Sequence, residues 1–600
     1  MPDWSYHTIF KPVLSLLPSA ISREIIHKSM NSLSKVPFGP NMIEFLGHLK
    51  TDHSLEHKIH QLNFQNQIAL SSIIDPNLSG TNAFMNLGFG LIEIGPITLD
   101  NSFTSKSPLI NLKKDQVIGY EENTALQLDE AIDKLSKLNK KTPIFARILG
   151  SFEDFKIIES KISHLVDYFV MNKELTSDLF INKWDSSLPI CLSVQPHELC
   201  DFKVNCTYDS ILIEENPSLT DMEQKEYLIS AMNRFKTQGV DKPIFTKGGV
   251  IQPIDAIDIL NEGAKLVFLT HGYIISGPGL PKRINEVLLF NRNKSVPSSN
   301  GWLWYFLFGL LMFVGGVLAL LISLTTIILP YDEHFLKTTS YVILQFNSKI
   351  LPFMSHDRMT LAGTIMSGGI LFMSLAYNGI KHNYHWAKKA TDVSGIVGFL
   401  AIFLFIGFGY FDWLHALFWL VLIPPFLIGF FKTKQINRSP ESQNLTNHTD
   451  WKSSLIGQLF CIMLGFSIIL GGCIISYVGI TTTFVQTDLN YLCISPSQMN
   501  AFNQNLIPVI SHDRAGFGGG LISVGLLILM ISLWGFRQHH KWIWWTLFLS
   551  GMPAFITAFG VHFMIGYTNF FHLLPPIIAM TFLLIGLVKS YQFLNIDQKR

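Results

Sequence analysis

The sequence predicts an α/β TIM barrel with an N-terminal helical hairpin, fused to an all-α polytopic membrane domain of eight helices in two parallel four-helix repeats. Three observations predict this architecture. Short apolar strands alternate with helical segments through the first half of the chain. The uncharged stretch from Trp302 to Leu329 exceeds the roughly 20 apolar residues that a helix needs to cross a bilayer. Similar apolar runs then recur to the C-terminus.

Composition limits the classes of partner. The chain has 600 residues, which implies more than one domain. Its net charge of +1 gives no indication of nucleic-acid binding. The 48% hydrophobic content is explained by the C-terminal half. We therefore expect the lipid bilayer as a partner, and no nucleic acid.

The first 40 residues are predicted to form an amphipathic helical hairpin. Apolar residues recur at helical spacing on both sides of Pro18, with Lys11, Arg23 and Lys28 between them. A basic amphipathic hairpin can lie on a membrane surface. A helical cap on a globular domain would show the same pattern, so both interpretations stay open.

Residues 41–290 are predicted to form the barrel. Helical segments such as Ala125–Leu138 and Glu223–Thr237 separate the strand candidates, and about eight β units of this kind favour a TIM barrel. The predicted strands are Gln67–Ile74, Gly90–Ile94, Pro143–Ile148, Tyr168–Met171, Pro189–Val194, Ser210–Ile213, Pro243–Thr246 and Leu266–Leu269.

Two glycine-bearing loops near the end of this domain predict a phosphate site. One follows the strand at Pro243–Thr246 and precedes a predicted helix at Pro253–Glu262, and the other follows the last strand. TIM barrels commonly bind phosphate at the loops after strands seven and eight, and glycine lets the backbone approach the anion. Ordinary tight turns are the alternative. The candidate residues are Gly248, Gly249, Thr270, His271 and Gly272.

Two segments then resemble a known family. Gly88–Thr98, with the sequence GFGLIEIGPIT, resembles the GFGxxEIGTVT segment of dihydroorotate dehydrogenases. Pro243–Pro278 resembles the C-terminal flavin-phosphate region of the same family. Together with the helical hairpin, the resemblance spans residues 4–290 and points to the membrane-associated class 2 enzymes. It implies FMN as the cofactor, dihydroorotate as the small-molecule substrate, which is oxidised to orotate in pyrimidine biosynthesis, and a quinone as the acceptor.

The chain departs from this family at the catalytic positions. Pro76 stands where the family has a lysine that contacts flavin and orotate, and Ser193 replaces a second flavin-contacting lysine. Arg147 replaces an asparagine. Leu175 stands at the catalytic serine and cannot accept a proton. Glu174 is the one neighbour that could act as the base in its place.

These departures leave three interpretations of the barrel open. The first is an active dihydroorotate dehydrogenase, that is, an oxidoreductase with substituted machinery. The second is a flavin- or phosphate-ligand-binding barrel with another reaction or a sensing role. The third is a barrel retained as a scaffold for a membrane domain of unknown activity.

The rest of the chain is predicted to hold two membrane repeats. Residues 291–301 form a polar linker, 302–432 the first repeat, 433–452 a cytoplasmic loop, and 453–590 the second repeat. The predicted spans are 302–329, 359–380, 391–410, 413–431, 453–480, 515–536, 542–562 and 570–588.

An internal duplication supports this division. The motif Ser355-His356-Asp357-Arg358 recurs 156 residues later as Ser511-His512-Asp513-Arg514. Glycine, proline and tryptophan positions repeat at the same offset. Because each unit has an even number of spans, the two copies have the same orientation in the membrane.

The duplicated motif and two further histidines are the candidate functional residues of this half. They are His356, Asp357, Arg358, His415, His512, Asp513, Arg514 and His572. We expect the motif at the outer end of the second span of each repeat, with the residues of one four-helix unit near one face. Such a cluster would suit metal, haem or quinone binding. An Asp–Arg pair that caps a helix is the simpler interpretation, and the sequence alone assigns no metal ligand.

Loop charges predict the topology. Lys and Arg residues cluster before span one and after spans two, four, six and eight, and positive residues favour the cytoplasmic side. The barrel and both termini are therefore predicted to be cytoplasmic, in an integral protein of a bacterial cell membrane. The loops 330–354 and 481–510 are predicted to face outward.

Overall fold

The computed structural model of the protein describes residues 2–47, 52–201, 207–292, 300–404 and 406–595. The chain forms two compact units. The first unit is Met1–Asn293 with Glu441–His448, and the second is Lys294–Pro440 with Thr449–Arg600.

Eight parallel strands close into a barrel in the first unit, as the sequence predicts. Each strand pairs with the next along the chain, and β8 pairs back with β1. Every residue of these strands is buried except the half-buried Arg147, which explains their near-continuous apolar sequences. The strands are β1 (Ile68–Leu70), β2 (Leu91–Thr98), β3 (Ile144–Ile148), β4 (Tyr168–Met171), β5 (Ile190–Val194), β6 (Ser210–Ile213), β7 (Ile244–Lys247) and β8 (Leu266–Leu269).

Helices surround the barrel at the positions that the sequence indicates. They are Thr81–Phe84, Leu128–Ser136, Phe152–Ile162, Lys173–Ile181, Asp221–Thr237, Pro253–Asn261, His271–Ser276 and Leu280–Arg292. The antiparallel pair Thr104–Asn111 and Gln116–Thr124 was not predicted from sequence. The second strand of this pair is nowhere fully buried, so it lacks the apolar alternation by which a strand is recognised.

The lower half of the barrel interior is apolar. A cluster of buried side chains fills it and rests on a short hairpin, His57–Ile59 with Leu62–Phe64. Phe145 stacks on Tyr168 with ring centroids 4.5 Å apart. This floor leaves the carboxyl ends of the strands as the place for polar chemistry.

The N-terminal segment is helical on both sides of Pro18, as predicted. Short turns cover Asp3–Leu14, a helix runs over Ser19–Lys35, and another covers Gly39–Gly47. Pro18 precedes the second helix in an extended conformation. Between residues 9 and 25, seven large apolar side chains are exposed, namely Ile9, Phe10, Val13, Leu16, Leu17, Ile21 and Ile25.

Among the residues of the second unit that the structure describes, eight helices are long and apolar enough to cross a membrane, as the sequence predicts. Short helices follow the first and fifth spans at Pro330–Leu336, Ser340–Phe346, Gln486–Leu492 and Pro496–Phe502. The spans, numbered in chain order, are Trp302–Thr325, Ile350–His382, His385–Phe408, Trp413–Lys432, Thr449–Thr481, Leu506–Trp534, Lys541–Ile565 and Phe570–Asn595.

Spans 2 and 6 begin nine residues before the predicted positions, at Ile350 and Leu506. The predicted starts of these two spans, which placed the repeated motif just before the helix, are therefore wrong. The motif lies inside each helix, more than one turn from its start. Helical structure can include these polar residues because their charges are paired, as described below.

Glycine allows close packing between spans 5 and 6. A Cβ built on Gly472 would lie 2.6 Å from the carbonyl oxygen of Gly518, whereas a Cβ on the neighbouring Gly471 would meet nothing within 4 Å. In the first repeat, a Cβ on Gly369 would lie 2.7 Å from the carbonyl oxygen of Gly309. Small residues at such crossings let helix backbones approach closely in membranes.

Candidate functional site

Five polar side chains form a layer above the apolar floor of the barrel. Each lies two residues after an inward-facing residue of the floor, so strand alternation points it into the barrel as well. All are buried or half-buried. The five residues are Glu93, Arg147, Ser193, Glu214 and Lys247.

Arg147 bridges the two carboxylates of this layer. Its Nη2 lies 2.5 Å from Glu214 Oε1, and its Nε donates to Glu93 Oε1 at 2.7 Å. Its Nη1 donates to Ser193 Oγ at 3.2 Å, and Ser193 Oγ donates to Glu214 at 2.7 Å. The guanidinium is thus held across the barrel axis by charge-assisted bonds.

Lys247 completes the layer. Its Nζ lies 3.2 Å from Glu214 and 3.6 Å from Glu93. Although burial opposes it, Arg147 and then Lys247 lower the pKa of Glu93 to about 2. The pKa of Glu214 is lowered by the same two cations against its burial. Two anions and two cations therefore neutralise one another, and we call these four residues the charge quartet.

Of the two loops predicted to bind phosphate, the one after β7 contains glycines with the expected positive φ angles, but a carboxylate packs against it. Gly248 and Gly249 have φ angles of +85° and +69°, which favour glycine. A Cβ on Gly248 would lie 2.6 Å from Oε2 of Glu215, so a carboxylate packs against the loop. A Cβ on Gly272 would lie 1.9 Å from the carbonyl oxygen of Val250, so the two loops touch each other.

His271 connects the loop after β8 to two acidic residues. Its Nε2 lies 2.6 Å from Asp221, and its Nδ1 lies 4.0 Å from Glu215. Burial lowers the pKa of His271, but the hydrogen bond to Asp221 and the charge of Glu215 raise it overall. Burial raises the pKa of Glu215.

These surroundings fit FMN poorly. Glu215 and Asp221 bring two carboxylates, against one imidazole of His271, to the loops that would receive a phosphate dianion, so the balance of charge there disfavours an anion. The charge quartet fills the barrel axis where, by resemblance, the flavin ring and orotate would be contacted. Its groups already bond one another, so a ligand entering there would have to break buried ion pairs.

The remaining predicted catalytic positions do not join the quartet. Glu174 is exposed in the first turn of its helix, and its carboxylate accepts from the amide of Asn172 at 3.2 Å. Leu175 is buried in the apolar core. The carboxylate of Asp75, next to Pro76, accepts from Thr81 at 2.8 Å and lies 3.3 Å from His27. It therefore has a local structural role.

An apolar pocket lies between the N-terminal hairpin and the barrel. Its lining comes from the hairpin at Leu14, Ile26 and Met30, and from the barrel at Phe84 and Tyr273, among others. Such a pocket suits a lipid-soluble ring.

Comparison with known proteins identifies relatives of this half. A quinone-type dihydroorotate dehydrogenase from Christiangramia forsetii is 25% identical over 336 residues, which cover 47% of this chain and 98% of that protein. The enzyme of the same name from Nautilia profundicola is 22% identical, covering 48% of this chain and 92% of that protein. The barrel half is similar to dihydroorotate dehydrogenases. No family model matches the chain.

Two of the solved structures that the chain matches come from one organism. A dihydroorotate dehydrogenase from Eimeria tenella, crystallised with ferulenol, is 16% identical with a TM-score of 0.33, covering 43% of this chain and 92% of that one. A ligand-free form of the Eimeria enzyme has a TM-score of 0.32 and 17% identity.

The similarity puts the charge quartet in context. The resemblance places Arg147 at an asparagine position of the family and Ser193 at a lysine position. Glu93, which belongs to the segment that resembles the family, pairs with Arg147 and Lys247 in this structure. The sequence carried a signal for this layer, because each member follows an inward-facing floor residue by two positions.

The repeated motif of the membrane domain forms a second cluster. Arg358 lies 2.7 Å from Asp513 and 3.0 Å from Asp332. Arg514 makes the equivalent contacts, 3.2 Å from Asp357 and 2.5 Å from Asp488. Each arginine therefore joins an aspartate of its own repeat to the motif aspartate of the other repeat.

The histidines are also exchanged between repeats. One ligand nitrogen of each of His356, His562 and His572 lies within 4.8 Å of the others. The ligand atoms of His512, His415 and Asp412 converge in the same way.

The expectation that one repeat gathers its own motif residues is therefore corrected. The helices that carry the motifs, spans 2 and 6, pack against each other, so each motif meets residues of the opposite repeat. His562 was missed by sequence analysis because it has no counterpart in the first repeat. At the offset of 157 residues that relates His572 to His415, the corresponding position is Phe405.

Proposed function

We propose that the barrel is a ligand-holding and anchoring module that has lost the flavin chemistry of its relatives, and that the duplicated helical domain carries the protein's activity. The observation that carries this proposal is the charge quartet across the carboxyl ends of the strands. Eight apolar helices are compatible with an integral membrane protein.

The quartet argues against hydride transfer in the barrel. Arg147 and Lys247 have carboxylate partners within 3.6 Å, so neither is available to stabilise a reduced flavin or an orotate carboxylate. Removing one partner of a buried pair costs roughly 3–5 kcal/mol. A ligand would have to offset a cost of this order before it gained affinity.

A segment from the loop between spans 4 and 5 supports the anchoring role. Glu441–His448 packs as part of the barrel unit. The side-chain amide of Asn447 donates to Ile251 O at 3.1 Å and Ser276 Oγ at 2.9 Å, and its oxygen accepts from Arg283 at 2.6 Å. The barrel thus holds the connection between the two membrane repeats beside its own phosphate-type loops.

The apolar surface of the hairpin supports contact with lipid. The seven exposed side chains named above lie on short helices around Pro18, and apolar faces of this kind bury themselves in the interface of a bilayer. With the positive loops, this surface favours a barrel on the cytoplasmic face of a bacterial membrane.

One experiment tests the proposal. The full-length chain is purified in detergent and examined for flavin absorbance after incubation with excess FMN, and it is also expressed in a strain that lacks dihydroorotate dehydrogenase. We expect neither flavin uptake nor growth without pyrimidine, while a quinone-type relative in the same vector restores growth. Flavin uptake that Gly249→Asp abolishes would contradict the proposal.

An active enzyme is the second candidate function. Similarity along nearly the whole length of quinone-type dihydroorotate dehydrogenases supports a function of that kind, and the pocket beneath the hairpin would suit a quinone ring. In this case Glu174, next to the lost serine position, would be the general base. Growth that is lost in Glu174→Gln would establish both the enzyme and this base. Growth that persists in Glu174→Gln would establish the enzyme alone.

A further inference from the structure

We propose that His356, His562 and His572 form a binding site for one nitrogen-preferring transition-metal ion, Zn²⁺ or Cu²⁺, assembled from both membrane repeats. His356 lies in span 2 of the first repeat, whereas His562 and His572 lie in spans 7 and 8 of the second. The site is independent of the barrel and of its proposed role.

The hydrogen bonds of two of the rings fix their tautomers. Nδ1 of His356 lies 2.9 Å from the carboxylate of Asp357, which can only accept when ionised. Nδ1 of His562 contacts the carbonyl oxygen of Ala558, which also can only accept. Each Nδ1 therefore carries the proton, and each Nε2 presents a lone pair.

These two lone pairs face each other. The distance from Nε2 of His356 to Nε2 of His562 is 3.0 Å, and the rings meet nearly at right angles. With both Nδ1 atoms protonated, two neutral rings cannot share a hydrogen bond at this contact. A cation must lie there, either an additional proton or a metal ion.

The third ring, that of His572, favours a metal ion over an additional proton. Tyr567 donates to Asp488 at 2.8 Å, so its hydroxyl oxygen can accept from Nδ1 of His572, 3.1 Å away. The Nε2 of His572 is thereby also left as a lone pair. A proton can be shared by two nitrogens, whereas three converging imidazoles match the ligand number of three-histidine zinc sites.

The surroundings have the form expected around a metal ligand. Histidine ligands usually donate their second N–H to a carboxylate, a carbonyl or another fixed oxygen, which orients the ring. His356 has Asp357, His562 has Ala558 O, and His572 has Tyr567. Two zinc-bound nitrogens at tetrahedral angles are roughly 3.3 Å apart, near the 3.0 Å seen between His356 and His562.

The second cluster provides a comparison. It offers two histidines and one carboxylate, His512, His415 and Asp412, again from both repeats. Nδ1 of His415 lies 3.1 Å from Asp412, and Asp412 also caps the helix of span 4. That carboxylate is already engaged, so the three-histidine cluster is the better metal site.

The test uses the full-length protein in detergent, treated with a chelator and then incubated with Zn²⁺ or, separately, Cu²⁺. Metal content is measured by mass spectrometry after removal of free ions. We expect His562→Phe, which introduces the residue type of the first repeat and removes one of the three ligands, to hold one ion per chain fewer than wild type. His382→Phe, an exposed histidine outside both clusters, is the matched control and should bind as wild type.

Binding of either ion by the wild type, together with its loss in His562→Phe, supports the site. The ion that the wild type retains identifies the metal preference of the site. Wild-type protein that binds neither ion, or His562→Phe that binds as wild type, overturns the proposal in favour of a proton shared by His356 and His562. If His562→Phe does not fold, X-ray absorption of zinc-loaded wild type decides. Imidazole nitrogens around the ion support the site, and oxygen ligands alone overturn it.

Discussion

The Nε of Arg358 lies 2.7 Å from Oδ2 of Asp513, so a motif arginine of the first repeat bonds the motif aspartate of the second. The reciprocal contact, from Arg514 to Asp357, measures 3.2 Å. Buried charges cost free energy unless they are paired. The repetition of this sequence motif is therefore explained by a mutual requirement, because each copy neutralises the other.

The first prediction follows from this exchange. Arg358→Gln leaves Asp332 and Asp513 buried without their arginine partner, so we expect the free energy of unfolding in detergent to fall by about 3–5 kcal/mol. Arg514→Gln should cost a similar amount, because its contacts are equivalent. Denaturant titration measures both.

Lys434→Gln is the control for this pair, because Lys434 is exposed. It should leave the unfolding free energy within about 0.5 kcal/mol of wild type. If both arginine variants were as stable as the control, the ion pairs between repeats would not hold the two halves together.

Adjacent glycines in span 5 give a second prediction with an internal control. In Gly472→Ala the new methyl group meets the backbone oxygen of Gly518 at 2.6 Å, so the helices must separate, at about 1–3 kcal/mol. In Gly471→Ala the methyl group points into open space. We expect a lower melting temperature for Gly472→Ala alone, and equal losses in both variants would contradict this packing.

A third prediction concerns topology. A reporter fused after Gln435, between spans 4 and 5, should give a cytoplasmic signal, and one fused after Asn347, between spans 1 and 2, an external signal. The reason is the distribution of Lys and Arg among the loops. Glu441–His448 packs with the barrel, so the first fusion also reports the side of the barrel. The opposite pattern of signals would reverse the whole arrangement.

Much of the fold was predictable from sequence because it depends on local pattern. All eight strand segments and all eight spans overlap the predicted ones. The pairing of Arg358 with Asp513 was not predictable, since it depends on which helices meet. The packing of Glu441–His448 with the barrel unit could not be predicted from sequence for a different reason. Its contacts are hydrogen bonds of polar residues such as Asn447, which leave no periodic signal.

The candidate barrel site was half predictable. Its glycine loops carried a recognisable pattern, and Gly248 and Gly249 have the expected positive φ angles. The carboxylate that packs against Gly248 belongs to Glu215, which lies on another loop. That contact depends on the closing of the barrel, so sequence spacing could not reveal it.

The charge quartet gives a fourth prediction. Arg147→Met leaves Glu93 and Glu214 with Lys247 as their remaining cation, and we expect a loss of about 3–5 kcal/mol in unfolding free energy. The double variant Arg147→Met with Glu214→Gln restores the charge balance and should recover most of that loss. Chemical denaturation compares the three proteins. A double variant less stable than the single one would show that charge balance is not what holds this layer.

The last prediction is a pH dependence at His271. Asp221 and Glu215 raise its pKa above 6.5 despite burial, so the folded state binds a proton more tightly than the unfolded state does. This stabilisation is complete below pH 6.5 and is lost as the pH rises through the folded-state pKa. Replacing His271, which takes up this proton, should therefore weaken the dependence of stability on pH.

We expect the difference in melting temperature between wild type and His271→Gln to be largest in mildly acidic buffer and to shrink as the pH rises above 6.5. In an Asp221→Asn background, which removes the 2.6 Å partner of His271, the same difference should vary less with pH. Comparing the two backgrounds cancels the titration of every other histidine. A difference that grows with rising pH in the wild-type background would mean that His271 is held neutral, and that Glu215 and Asp221 do not act on it as the geometry indicates.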